Sequence, residues 1–416
     1  MKYLFAMDAK RSYPAVFLLL VCALMYGFSV PSGNELLYLL RLARQWDPGF
    51  LLNDWTFAMG EPEHYVFNSV FGLPCLILPM EAVGIAGRLL SWVFISVGIL
   101  RLARHLGIGA WPAVLAVTLW LATGQALVAQ EWIIGGFEAK CVAYALLFFS
   151  LDGFLSAKPH RAALMLGLTF SFHPAVGLWA ALAAVPAVLT RRLPLWTLVR
   201  CGALATLGAL PGLIPLLSTL LGAAGGDAGL WSFMVRLKMP FHLDPLSWRK
   251  WDILTLYMAF AFNAVHAFRN RGNPVSLFLI AFESALGVFF SAGLVWRLTG
   301  DFGLLKFMPF RLFAVLTPLF FLFRLIHSCQ RPVWETRLGK AANAFGLITL
   351  MAFPNPVSGF SSRMDAKSWW SRDDGLRPAL VWLSRNTDNG SIAILPPWRH
   401  DGWYYGRRAQ IACYPF

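Results

Sequence analysis

The stretch "PSGNELLYLLRLARQWDPGFLLNDW", residues 31–55, decides how the chain is read. It follows an apolar run, Tyr13 to Val30, long enough to cross a bilayer. It then places Glu35, Arg41, Arg44, Asp47 and Asp54 close together. Ser32 or Asn34 can cap a helix opening at Glu35, where an acid meets the positive helix end. Over Glu35–Trp46 the residues Leu36, Leu39, Leu40 and Ala43 form an apolar stripe at helical spacing, with Tyr38, Arg41 and Gln45 opposite. Such a helix is expected to lie flat on the membrane. Asp47-Pro48 ends it, and Asn53–Trp55 then sets an acid beside an interfacial aromatic. Two readings stay open: charges that simply face water, or a site at the bilayer surface.

The rest of the chain supplies the membrane. It is 58% hydrophobic and 13% charged, against about 45–50% and about 25% in soluble domains. Apolar runs of near-spanning length recur along it, which predicts an all-α polytopic membrane protein with about eleven transmembrane helices. The net charge of +14 does not point to nucleic acid. The Lys and Arg residues form short clusters between apolar runs, as membrane orientation demands. The six cysteines show no paired spacing, so neither a zinc site nor a disulfide framework is expected. The N-terminal apolar run is longer than a signal-peptide core, and no small-residue cleavage site follows it. It is therefore expected to be an uncleaved first span.

Placing every basic cluster on the cytoplasmic side gives one threading, with the N-terminus cytoplasmic. The first span, 13–30, leads to an outer loop, 31–82, whose "HYVFNSVFGLPCLILPM" is embedded without crossing. Spans follow at 83–105, 109–123, 139–157, 162–172, 174–190, 195–222, 251–268, 275–296, 308–326 and 341–356. Residues 1–356 form the transmembrane domain, and 357–416 form an extracytoplasmic C-terminal segment. The acids were not used in this threading. Only Asp8, Glu335, Asp152 and Glu283 fall on the cytoplasmic side or within a span, and the remainder fall outside. The tail reads as a short α/β-like module, with a helix near Gly375–Arg385, a strand at Ser391–Leu395 and a Pro-Pro loop.

Three further constellations could carry chemistry. "QEWIIGGFEAKC", residues 130–141, sets Glu131, Glu138 and Lys140 around a Gly-Gly turn that lets backbone approach a ligand. Glu138 and Lys140 fall at the start of a span, where ionisable groups usually have a task. "GLTFSFHPAVGLW", residues 167–179, breaks a helix at His173-Pro174, and broken membrane helices tend to line cavities. Arg297, Lys306 and Arg311 flank an outer segment, against the positive-inside trend, which suits an anionic lipid headgroup or lipid-linked phosphate. The bland alternatives are a plain turn, a structural histidine and snorkelling at span ends. No phosphate-binding glycine loop, nucleotide fingerprint or nucleophile elbow occurs.

Taken together, the layout resembles the GT-C superfamily of integral-membrane glycosyltransferases. The resemblance rests on "GNELLYLLRLA" after the first span, "AGRLLSWVFISVGILRLARHLG" entering the second and the broken "GLTFSFHPAVGLW" hairpin. "NDW", "GGFEAK" and the "NT...PP" tail resemble uncharacterised bacterial members. It implies a sugar donor linked to polyprenyl phosphate, used at the extracytoplasmic face of a bacterial inner membrane. The catalytic role of the first-loop acid then falls on Glu35. Many members carry Asp-Glu where this chain has Asn34-Glu35, which makes Asp54 a rival base. The second-loop acid, acceptor-binding or metal-binding in some members, corresponds to Glu131 or Glu138, which leaves the cofactor open with a divalent metal as one option. Lys140, His173, Arg297, Lys306 and Arg311 become the donor-phosphate candidates. Two other classes fit the same features. One is a transporter or flippase with Glu283, His266 and Arg200 along its path. The other is an inactive protein that keeps the fold.

Overall fold

The computed structural model describes residues 9–31, 34–54, 57, 64–222, 228–300, 302–330, 337–357, 377–388, 391–394, 407 and 409–411. Readings that fall on Ser32, Trp55, Glu335 and the Pro396-Pro397 loop lie outside these residues. The protein is overwhelmingly helical. Each run expected to span contains a helix, and the main helices are α1 (Ala9–Tyr26), α2 (Glu35–Trp46), α3 (Tyr65–Gly72), α4 (Met80–His105), α5 (Ala110–Ala122), α6 (Ala139–Leu155) and α7 (Pro159–Phe172). They continue with α8 (Pro174–Leu189), α9 (Leu195–Gly222), α10 (Lys250–Arg269), α11 (Pro274–Thr299), α12 (Arg311–Cys329), α13 (Arg337–Met351) and α14 (Arg377–Asn386). Four of them, Met80–His105, Leu195–Ser218 within α9, Pro274–Thr299 and Arg311–Cys329, are long and apolar enough to cross a membrane.

Helix α2 takes the bounds its pattern predicts and buries Leu36, Leu39, Leu40 and Leu42. Its start differs from expectation. Asn34 has helical backbone angles and its side chain makes no capping bond. Its carbonyl accepts from Leu37 and Tyr38, so Asn34 holds the N-cap position through its backbone alone. At the other end the Asp47 N–H closes the last turn on Ala43 at 2.9 Å, and Pro48 prevents another. Helix α3 and the 3-10 turn Leu73–Leu76 follow, with Leu73, Leu76 and Ile77 exposed.

Helix α12 is the centre of the bundle, and most of its side chains from Leu312 to Ser328 are buried. Around it, α10 packs with α12 and α13, α5 packs on α12, and α8 packs on α11. A second row runs from α4 through α6 and α7 to α9. The α7–α9 contact is close because small residues face each other. A Cβ on Gly167 would lie 2.0 Å from the Ala205 carbonyl oxygen, and one on Gly212 2.5 Å from Ser171 Cα. Ser171 Oγ donates to the Gly208 carbonyl at 2.7 Å and accepts from Gly212 N–H at 3.1 Å. That backbone approach lets a helix of 14 residues, about 21 Å long, stay packed up to its break at His173. A separate apolar cluster under α2 joins Leu39, Leu40, Phe67, Val83 and Phe137. In the tail, Ile392–Ile394 pairs in parallel with Ala409–Ile411.

Candidate functional site

The Gly-Gly loop is held from three sides before it delivers any charge. The Gln125 amide oxygen accepts from Ile133 and Ile134 N–H at 2.8 and 2.9 Å, and its nitrogen donates to the Ile134 carbonyl at 2.7 Å. Trp92 Nε1 donates to the Gly135 carbonyl at 3.2 Å. Glu35 Oε1 accepts from Phe137 N–H at 2.7 Å. Gly87 of α4 leaves room for the Phe137 ring, which a Cβ there would meet at 2.3 Å. Gln125, Ala129 and Gln130 take left-handed backbone conformations. Each costs on the order of 1 kcal/mol or more, and such strain concentrates at working sites.

The pinned loop presents a buried chain of charges running Glu138–Lys140–Glu131–Arg311. Lys140 Nζ lies 3.3 Å from Glu131 Oε1 and 3.1 Å from Glu138 Oε2. Arg311 Nε lies 3.1 Å from Glu131 Oε2. Arg311 Nη1 donates to His173 Nε2 at 2.9 Å. Arginine cannot accept, so Nε2 is the unprotonated ring nitrogen. The His64 ring meets the His173 ring edge-on at 5.4 Å, and the Tyr38 ring meets His64 at 5.2 Å. Trp132 lies under the Lys140 ammonium, 4.0 Å from centroid to nitrogen. His242 Nδ1 donates to the Ala129 carbonyl at 2.5 Å from the far side of the loop. All four charged members are largely buried. Tyr144 Oη and Glu138 Oε1 are buried without a hydrogen-bond partner among the described residues.

Position in the helices explains the electrostatics. Glu138 precedes α6, His173 precedes α8 and Arg311 opens α12, so three helix N-termini converge on one small volume. Their partial positive charge favours anions there. Burial pushes the Glu131 carboxyl up, but Arg311, Lys140 and His242 outweigh it and hold it below its ordinary range. At Glu138 burial wins, and the carboxyl is raised despite Lys140. Burial, Arg311 and His64 together push the His173 imidazole well below 6.5, so it is neutral at physiological pH. The two carboxylates are therefore driven apart: one fixed as an anion, the other able to take a proton.

The sequence-derived residues divide into this cluster and several separate arrangements. Glu131, Glu138, Lys140, His173 and Arg311 come together. Glu35 is fully buried, not facing water, and pairs with Arg88 through Nε at 2.7 Å and through Nη2. Asp54 is buried as well. Arg297 is bound two-fold to Asp244, at 2.7 and 3.0 Å, which clamps the outer segment onto α11. Lys306 is exposed and lies 5.2 Å from the Phe307 ring centroid. Glu283 is matched by Arg324 at 2.6 Å and Asn263 at 2.6 Å, His266 bonds His327 at 3.0 Å, and Arg200 is exposed over Trp196. The Glu283 and His266 pairings lie one turn apart along α10 and α12, and Arg200 is on α9. A cavity of about 110 Å³ beside Trp46, Asp47, Phe50, Met80 and Arg407 shares no residue with the charged cluster.

Arg88, Gln125, Tyr38, His64, His242 and Tyr144 are absent from the sequence-derived set. For Arg88 a signal existed, since a lone arginine inside an apolar run needs a partner.

Similarity to solved structures decides the fold. The chain superimposes on the Archaeoglobus fulgidus oligosaccharyltransferase solved with Zn and sulfate with a TM-score of 0.53 and 16% identity, over 96% of this chain. It also superimposes on the A. fulgidus oligosaccharyltransferase AglB solved with an inhibitory peptide and a dolichol-phosphate, with a TM-score of 0.52 and 13% identity, over 97% of this chain. The fold is GT-C-like. The chain spans 62% and 64% of the length of those two proteins. No protein-family profile matches it, and no curated protein matches it. The GT-C-like fold and the apolar helices make it a multi-pass membrane protein.

A zinc site takes at least three carboxylate, histidine or cysteine ligands from the protein. Among the described residues no group of three or more His, Cys, Asp or Glu is placed to hold one. Both carboxylates of the cluster are already bridged by Lys140.

Proposed function

We propose that the chain is a membrane glycosyltransferase that moves a sugar from a polyprenyl-phosphate-linked donor to an acceptor at the extracytoplasmic face. The observation that carries this reading is the buried Glu138–Lys140–Glu131–Arg311 chain at three converging helix N-termini. The dolichol-phosphate bound to AglB supports a lipid phosphate as the ligand class. In this reading the chain crosses the membrane about eleven times, with basic clusters and the N-terminus cytoplasmic and the C-terminal segment outside. The C-terminal ends of α4 and α6 meet through Arg101–Asp152 at 3.2 Å, and those of α10 and α12 through His266–His327. Both contacts fit that alternation.

The chemistry follows from the charges. An acceptor hydroxyl oxygen attacks the anomeric carbon, the bond from that carbon to the phosphate oxygen breaks, and the lipid phosphate leaves with the electron pair. Arg311, half of whose guanidinium is already fixed by Glu131 and His173, stabilises the charge that develops on the phosphate. Glu138 Oε1, buried and unpartnered, takes the hydroxyl proton. Asp54 is the alternative base. Glu35, with both oxygens engaged by Arg88 and Phe137, positions the loop instead of touching substrate.

Mass-spectrometric profiling of lipid-linked sugars and envelope glycans in cells with and without the protein tests this. Loss of one sugar modification with accumulation of its lipid-linked donor is expected. Unchanged glycans and unchanged donors would contradict it.

A further inference from the structure

The Glu131–Glu138 pair deepens the proposed reading through the geometry of the cluster, independently of the reaction. Two carboxylates that converge inside a protein need a cation between them, or one must be protonated. A divalent ion is a common solution, with oxygen ligands at about 2.0–2.6 Å. Here that place is taken by a side chain. Lys140 Nζ stands 3.1 Å from Glu138 and 3.3 Å from Glu131, and Trp132 closes a further side at 4.0 Å. The other Glu131 oxygen is claimed by Arg311 at 3.1 Å.

The charge sum agrees with the geometry. Two carboxylates meet one ammonium and one guanidinium, and His173 adds nothing while its Nε2 accepts from Arg311. A dication entering this cluster would leave it with two surplus positive charges in a buried volume, or would have to expel Lys140. We infer that the Lys140 ammonium occupies the bridging position a divalent cation would otherwise take, so that this site works without a bound metal. The charge is built into the chain, and the site needs neither metal loading nor an entry path for an ion.

The test is manganese binding to the purified full-length protein in detergent, followed by electron paramagnetic resonance and by thermal unfolding with and without EDTA. The unaltered protein is expected to bind no Mn²⁺ at the cluster and to melt at the same temperature in Mn²⁺ and in EDTA. Lys140→Ala opens the place between the two carboxylates. It is expected to acquire one Mn²⁺ site, which Lys140→Ala combined with Glu138→Gln loses. Stoichiometric Mn²⁺ binding by the unaltered protein that disappears in Glu131→Gln would overturn the inference. So would a folded Lys140→Ala protein that gains no Mn²⁺ site. If Lys140→Ala does not fold, the measurement on the unaltered protein decides alone. Neither readout needs donor or acceptor. Failure of sugar transfer would therefore count against the proposed function and leave this inference standing.

Discussion

Glu35 and Arg88 form an ion pair with both side chains fully excluded from solvent, and the same carboxylate accepts the Phe137 N–H at 2.7 Å. The first-loop helix, helix α4 and the Gly-Gly loop are thereby joined at one point. Arg88 is further anchored by the Ser29 carbonyl at 2.8 Å. Removing one member leaves the other as a buried, uncompensated charge, which costs about 3–5 kcal/mol. Glu35→Gln and Arg88→Met should each lower the melting temperature in detergent strongly. The double variant Glu35→Gln/Arg88→Met should recover part of the loss. Two single losses that simply add in the double variant would contradict the coupling.

His173 gives the fold a dependence on mild acid. Its imidazole is held well below 6.5 by burial first, then by Arg311 and His64. A base with a depressed folded pKa is protonated more readily in the unfolded chain. Its contribution is therefore complete above about 6.5 and is lost as pH falls below that value toward its folded pKa. Melting temperatures measured from pH 7.5 to 5.5 should fall at the acid end, and His173→Gln should flatten that slope. A slope unchanged by the substitution would show that other groups dominate.

The α7–α9 crossing should tolerate no added bulk. A side chain at Gly167 would run into the Ala205 carbonyl, a backbone atom that cannot swing aside. Gly167→Leu should cost at least about 1–3 kcal/mol through backbone displacement. A leucine at Gly202, where a Cβ meets nothing within 4 Å, should be close to neutral. Paired thermal melts of the two variants check this. Equal losses would place the close contact elsewhere.

Much of the helical frame was legible because membrane helices announce themselves as apolar runs between charge clusters. Helix α2 and the break at His173-Pro174 could be read from local spacing and a single proline. The site was legible only in part, because its pairings are remote in sequence: Phe137 with Glu35, and Arg311 with His173. Glu35 could be read as water-facing or catalytic, but not as half of a buried ion pair, because Arg88 comes a whole embedded segment later. Arg297, Lys306 and Arg311 looked like one cationic patch. Asp244 claims the first, solvent the second, and only Arg311 enters the cluster. Nothing local to residue 297 could show which acid would meet it.

That division makes a paired experiment informative. Arg297→Gln should weaken the outer segment, read as a lower melting temperature. Lipid-phosphate affinity should be little changed, because Arg297 spends its charge on Asp244. Arg311→Gln removes a charge-assisted donor from the proposed phosphate position, worth about 1.5–3 kcal/mol.

Titration of a fluorescent polyprenyl phosphate onto the full-length protein in nanodiscs therefore addresses the central claim most directly. The unaltered protein should bind saturably, and Arg311→Gln should bind at least about ten-fold more weakly while still folded. Absence of saturable binding, or equal affinity for the unaltered and Arg311→Gln proteins, would contradict the account.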